Sequence, residues 1–156
     1  MPKFFAILLI ILGLSGALPA GADVTQVRIV GDGAPTRITI WTDTAETADG
    51  LVTEAGGERK VVLLLAQNWY SAAGEGNGGV AAWTLEPGRL EFNLDRPMAV
   101  TRMLRLPPTG KERAYRVILD LDTVSAVRYT TTARRDTKKL AKLETEYADA
   151  RASAVR

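Results

Sequence analysis

The chain is 156 residues long, carries 20 Lys and Arg against 18 Asp and Glu for a formal net charge of +2, and contains no cysteine and no histidine. Those absences exclude a disulfide framework, a histidine- or cysteine-held zinc, and any mechanism that needs an imidazole base or a thiol nucleophile. The sequence pI is near 9.0, yet the charges are almost balanced, and the dense basic stripe of a nucleic-acid binder is missing.

The first 22 residues read as a cleavable secretory signal, with an uncleaved amino-terminal anchor as the rival reading. Lys3 precedes an apolar run over residues 4–14 that is too short to span a bilayer comfortably, and small residues follow at Ala20 and Ala22. Cleavage after Ala22 starts the mature chain at Asp23 in the periplasm with no stable membrane span, and Lys3 leaves with the signal. No cysteine follows the apolar run, so attachment through a lipidated cysteine is excluded. What remains is the size of one domain, and without disulfides a hydrophobic core must hold it together.

Residues 24–30 mix β-branched and polar side chains and end at Gly31-Asp32-Gly33-Ala34-Pro35, which is turn chemistry. In the next strand Ile38 and Ile40 share one face while Arg37, Thr39 and Trp41 share the other, the period-two signature of a sheet buried on one side. Residues 61–65 are apolar on both faces, so the side carrying Val62 and Leu64 calls for a cover. The glycine-rich stretch 71–79 is expected to be a flexible loop. Within it Gly74-Glu75-Gly76-Asn77-Gly78-Gly79 satisfies G-x-G-x-x-G, but residues 80–85 read as a strand where a nucleotide site needs a helix.

Residues 89–94 repeat the alternation, with Leu90, Phe92 and Leu94 inward and Arg89, Glu91 and Asn93 outward. A strand over 100–106 ends at Pro107-Pro108-Thr109-Gly110, and residues 116–121 form another, with Val117, Leu119 and Leu121 on one face. After Tyr129 the pattern turns helical: Leu140, Leu143, Tyr147 and Ala150 recur at spacings of three and four, with Asp136 as the expected start. Lys138, Lys139 and Lys142 come early and Glu144, Glu146 and Asp149 late, which opposes the helix dipole, so this helix needs a docking surface. It is a candidate cover for Val62 and Leu64.

Two of these stretches look duplicated. Thr36-Arg37-Ile38-Thr39-Ile40-Trp41-Thr42-Asp43 matches Gly88-Arg89-Leu90-Glu91-Phe92-Asn93-Leu94-Asp95, an offset of 52 residues from Arg37 to Arg89. Lys60-Val61-Val62-Leu63-Leu64-Leu65 matches Arg116-Val117-Ile118-Leu119-Asp120-Leu121, an offset of 56 from Lys60 to Arg116. The duplication predicts an all-β fold, a β-sandwich of two similar sheets facing one another, with a carboxy-terminal α-helix. The expected divisions are 1–22 signal, 23–130 sandwich and 131–156 helix or linker.

With its signal segment, its duplicated strands, Arg96-Pro97-Met98-Ala99-Val100, Leu106-Pro107-Pro108 and above all Tyr115-Arg116-Val117-Ile118-Leu119-Asp120-Leu121, the chain resembles the AMIN domain over residues 24–127. That domain precedes the catalytic part of periplasmic N-acetylmuramoyl-L-alanine amidases and also occurs in secretin-type outer-membrane channels. The resemblance implies a sandwich that binds peptidoglycan and places envelope proteins, with divisome or other cell-envelope proteins as further partners. Leu64 stands where the first copy would match Asp120, a departure from the pattern.

No catalytic residue, metal ligand or cofactor site is expected. Without histidine or cysteine a hydrolytic zinc is excluded, and although Asp120 and Asp122 share a strand face and Asp43 and Asp95 are related by the repeat, nothing in the sequence sets either pair across a cleft. The candidate ligand-binding residues are instead Arg37, Trp41, Arg89 and Arg116 on outward faces, with Arg102 and Arg105 forming a basic rim beside Lys111 and Arg113. Arginine offers a planar fork for the carboxylates of peptidoglycan stem peptides, and an indole face packs on sugar rings. The expected function is a non-catalytic peptidoglycan-binding and localisation module. The alternative is a protein-interaction adaptor in a division or secretin-type envelope complex, and a weaker third reading is a carboxylate-dependent hydrolase acting through Asp120.

Overall fold

The computed structural model describes residues 24–33, 35–43, 51–55, 57–65, 68 and 70–154, so the segment expected to be a signal, 1–22, lies outside the described residues. Within them the strands are β1 (Val24–Val30), β2 (Thr36–Thr42), β3 (Leu51–Ala55), β4 (Glu58–Leu64), β5 (Ala72–Glu75), β6 (Val80–Glu86), β7 (Arg89–Leu94), β8 (Met98–Leu106) and β9 (Tyr115–Thr123), followed by the helix α1 (Ala126–Ala154). One antiparallel sheet has the order β1-β2-β9-β8, the other β3-β4-β7-β6-β5. The fold is a β-sandwich of two similar sheets with a carboxy-terminal helix, as the duplication implies.

The copies are interleaved. β2 of the first copy pairs with β9 of the second, and β7 of the second pairs with β4 of the first, so each sheet takes strands from both. The registers coincide under the repeat: Arg37 faces Asp120 as Arg89 faces Leu64, and Ile40 faces Val117 as Phe92 faces Val61. The edges repeat too. A bulge between Val24 and Gln26 in β1 recurs between Val80 and Ala82 in β6, and Leu51 faces Val62 as Leu104 faces Ile118. Strands β1–β4 and β6–β9 are therefore two copies of one unit, and β5 is an addition to the second sheet.

Alternation along these strands builds the core. Ile38, Ile40, Val61, Leu63, Leu90, Phe92, Val117, Leu119 and Leu121 are all buried between the sheets. The glycine-rich stretch does not form the expected loop: residues 72–75 are β5, a hairpin partner of β6, because Gly74 leaves room for the Trp83 ring where a β-carbon would fall 2.5 Å from Trp83 Nε1. Gly78, at φ 61°, takes the turn, and a β-carbon on Gly31 would collide with its backbone. These glycines serve close packing of two turns. Trp83 packs against the core as an anchor, and Trp69 lies outside the described residues.

α1 opens at Ala126, earlier than expected, with the Ser125 hydroxyl accepting from the Arg128 N–H at 3.2 Å as its cap. Asp136 is internal. Its place in the buried stripe Tyr129, Ala133, Asp136, Leu140 follows spacings of four and three, and its carboxylate accepts the Val52 N–H at 3.0 Å. Tyr129 donates its hydroxyl to the Thr53 carbonyl, so the helix satisfies backbone groups of edge strand β3. Burial, and then the charge of Glu54, push the Tyr129 phenol up to about 12, which keeps its proton available for that bond. Further along, Leu140, Leu143 and Tyr147 pack on Leu51, Val62 and Leu64, covering the strand that is apolar on both sides, while Ala150 is exposed.

Because the charge order of α1 gives it little stability of its own, this docking holds it in place. Leu140→Ala should lower unfolding free energy by about 2–3 kcal/mol, read from urea denaturation. A change within experimental error would contradict docking as the source of helix stability.

Candidate surface site on the uncovered sheet

The two sheets are twins in backbone and differ in what stands outside them. The outer face of the five-stranded sheet is occupied by α1 over Leu51, Val62 and Leu64, and the charges beside the helix are mutually paired. Lys60 Nζ reaches Glu91 at 3.0 Å, Arg89 Nε reaches the other Glu91 oxygen at 2.5 Å, and Arg89 also pairs with Glu144 of the helix. Burial pushes the Glu91 carboxyl up, but Lys60 and Arg89 more than offset it and hold it below its usual range.

Among the described residues no helix lies over the outer face of the four-stranded sheet. Register places Arg28, Thr39, Ile118 and Leu104 in one row across β1, β2, β9 and β8, and Gln26, Trp41, Arg116 and Leu106 in the row beside it. In the row on the other side, Val30, Arg37, Asp120 and Arg102 stand together. Arg28, Arg37, Trp41, Arg102 and Arg116 therefore share one surface whose acidic members are Asp120 and, beyond these rows on β9, Asp122. That surface has a surplus of positive charge, because Thr39 stands where its twin has Glu91.

Asp120 is spent on Arg37. The guanidinium donates from Nε at 2.7 Å and from Nη2 at 2.9 Å to the two carboxylate oxygens, a bidentate pair in which the Asp120 side chain is 6% exposed and that of Arg37 49%. This hydrogen bonding, opposed by burial and helped by the nearby charges of Arg37 and Arg102, holds the Asp120 carboxyl below its ordinary value. Among the described residues Arg28, Arg102 and Arg116 have no ion pair, and Arg116 Nε is buried with no hydrogen-bond partner. An arginine nitrogen left unsatisfied is costly, and such a group calls for an explanation.

Four of the residues singled out from sequence, Arg37, Trp41, Arg102 and Arg116, come together here. Arg89 does not; it lies on the opposite face of the molecule, tied beneath the helix by Glu91 and Glu144. Arg105 is also apart, since its register partner is the inward Val117, and it lines a small apolar cleft with Thr42, Leu106, Pro107 and Tyr115. Lys111 and Arg113 are exposed on the loop that follows β8. Arg28 was not among those residues, although its one-on, one-off spacing from Gln26 and Val30 marks it once the face of β1 is known.

Three of the four carboxylates considered for catalysis are engaged singly. Asp120 holds Arg37, Asp122 accepts the Thr101 hydroxyl at 2.8 Å, and Asp95 pairs with Arg96 at 2.7 Å. Among the described residues no helix is long and apolar enough to cross a membrane. Comparison with family models, with curated proteins and with solved structures finds no match to this chain.

A folded carboxyl held below its unfolded value contributes stability that is complete above that value, ordinarily 3.8 for Asp120, and lost as pH falls through the folded one. Asp120→Asn should therefore show a smaller loss of urea stability between pH 6 and pH 2.5 than the parent chain (pH values spanning about two units above and one below the ordinary carboxylate range). An equal loss in both proteins would contradict the pairing.

Proposed function

We propose that the chain is a non-catalytic periplasmic module that binds peptidoglycan through the uncovered face of its four-stranded sheet and thereby localises envelope proteins, as the AMIN resemblance implies. The observation that carries this reading is the divergence of the twin faces. One has become a seat for the helix, with Arg89 and Lys60 tied to glutamates, and the other keeps Arg28, Arg102 and Arg116 without ion-pair partners among the described residues, beside Trp41.

The chemistry fits such a ligand. Stem peptides offer carboxylates to guanidinium forks, and the flat, repeated polymer suits a flat sheet face on which several weak contacts act together. Trp41 and Arg116 face one another across β2 and β9, so an indole for a sugar ring and a cation for a carboxylate stand side by side. The Arg37–Asp120 pair ties together the two central strands of this surface, β2 and β9, and the expected secretory signal supplies the compartment.

The test is retention of the protein on purified sacculi. The wild-type domain should be retained above a control protein of equal net charge, and Trp41→Ala combined with Arg116→Glu should reduce retention about tenfold or more. Arg89→Ala should leave it unchanged, since that residue lies beneath the helix. Wild-type retention no better than the control would remove the reading and give the face to a protein partner instead.

A further inference from the structure

α1 runs between two sheet edges and treats them differently. On one side it closes β3 directly, through Asp136 to the Val52 N–H and Tyr129 to the Thr53 carbonyl. On the other side a trough of about 430 Å³ separates it from β8, with residues 99–103 of the strand on one wall and Arg128, Thr132 and Arg135 of the helix on the other. The strand wall is a sheet edge, since β8 ends the order of its sheet.

We infer that this trough is a second binding site, which takes an extended acidic peptide lying alongside β8. The first support is charge. Arg102, Arg128 and Arg135 line the trough against one carboxylate, Asp136, which is already shared between the Val52 N–H and Arg135 Nε at 3.1 Å. Arg102 and Arg128 have no ion pair among the described residues, so the lining has positive charge to offer. Arg128, Thr132 and Arg135 fall on one helix face by their spacing of four and three, which directs them together into the trough.

The second support is shape. The strand wall runs five residues, about 13 Å at the rise of a β-strand, and an edge strand in extended form presents alternate backbone donors and acceptors to anything that pairs with it. Adding a strand to such an edge is a general mode of peptide recognition, with side-chain contacts supplying selectivity. The bulge between Val100 and Arg102 lies on this wall, and Thr101 there turns its hydroxyl to Asp122 and to the Asp120 carbonyl, which keeps a second carboxylate occupied outside the trough. A compact anion would meet the arginines but leave the strand edge unused. A lining that takes in five consecutive strand residues favours a peptide.

The site is separate from the peptidoglycan surface except for Arg102, which stands at the border of both. An envelope module that holds the wall with a sheet face and a partner's acidic segment with a sheet edge would connect the two.

The experiment uses a short fluorescein-labelled peptide alternating glutamate and valine, with a lysine-for-glutamate peptide and inorganic pyrophosphate in parallel arms. The acidic peptide should raise fluorescence anisotropy, slow deuterium exchange at the amides of residues 99–103, and bind at least about tenfold more weakly to the Arg128→Glu, Arg135→Glu double variant. Arg134→Glu, which lies outside the trough on the same helix, should bind as the parent does. If the double variant fails to fold, Arg102→Glu on the opposite wall gives the same reading. No anisotropy change, undiminished binding to the trough variants, or binding without protection of 99–103, with pyrophosphate competing fully, would each overturn the proposal. Retention on sacculi is scored separately, so the two readings stand or fall independently.

Discussion

The pairing of β2 with β9 and of β7 with β4 is the constraint on which the rest depends. Each copy of the duplicated unit sends its first two strands into one sheet and its last two into the other, so neither copy completes a sheet without its twin. Because side chains alternate along a strand, a slip of one residue in either central pair would turn Ile38, Ile40, Leu90 and Phe92 out of the core. The register is therefore held by the burial of the inner faces. Arg37 and Asp120 add a bidentate bond across one pair, and in the twin position Arg89 meets Leu64 and takes its carboxylates from Glu91 and the helix instead.

That one difference organises the outer surface. Leucine at position 64 completes an apolar patch with Leu51 and Val62, and the patch is covered by Leu140, Leu143 and Tyr147. Aspartate at 120 interrupts the equivalent patch, where Leu104 and Ile118 remain half-buried and, among the described residues, no helix lies over them. A single backbone plan thus yields one face seating the helix and one face that keeps its arginines at the surface. Burying a helix over Asp120 and its arginine neighbours would desolvate charges that are better kept in water or given to a ligand.

Much of this was legible in the sequence because it depends on period and repetition. The alternation at Ile38 and Ile40, the doubled apolar run at 61–65 and the offsets between copies led to the sheets, to the burial of Val62 and Leu64 and to the helix as their cover. What remained hidden depends on position in space. Gly74 and Gly78 look like a flexible loop until Trp83 and Gly31 are seen against them. Asp136 looks like a helix start because a carboxylate seldom sits in a buried stripe, and only the free N–H of Val52 explains it. Arg89 and Arg37 are equivalent in the repeat yet opposite in role, since the residue that separates them, Glu144, lies far along the chain. Arg28 becomes visible only through its register with Thr39.

The central claim is that the exposed face of the four-stranded sheet is the working surface of the molecule. It is tested most directly by mapping backbone amide chemical shifts of the isotope-labelled protein as soluble disaccharide-peptide fragments of peptidoglycan are added. The account predicts shifts that concentrate in β1, β2, β9 and β8 around Arg28, Arg37, Trp41 and Arg116, with α1 and β4 unmoved. Shifts centred on the helix-covered sheet, or a spectrum that does not change, would contradict it.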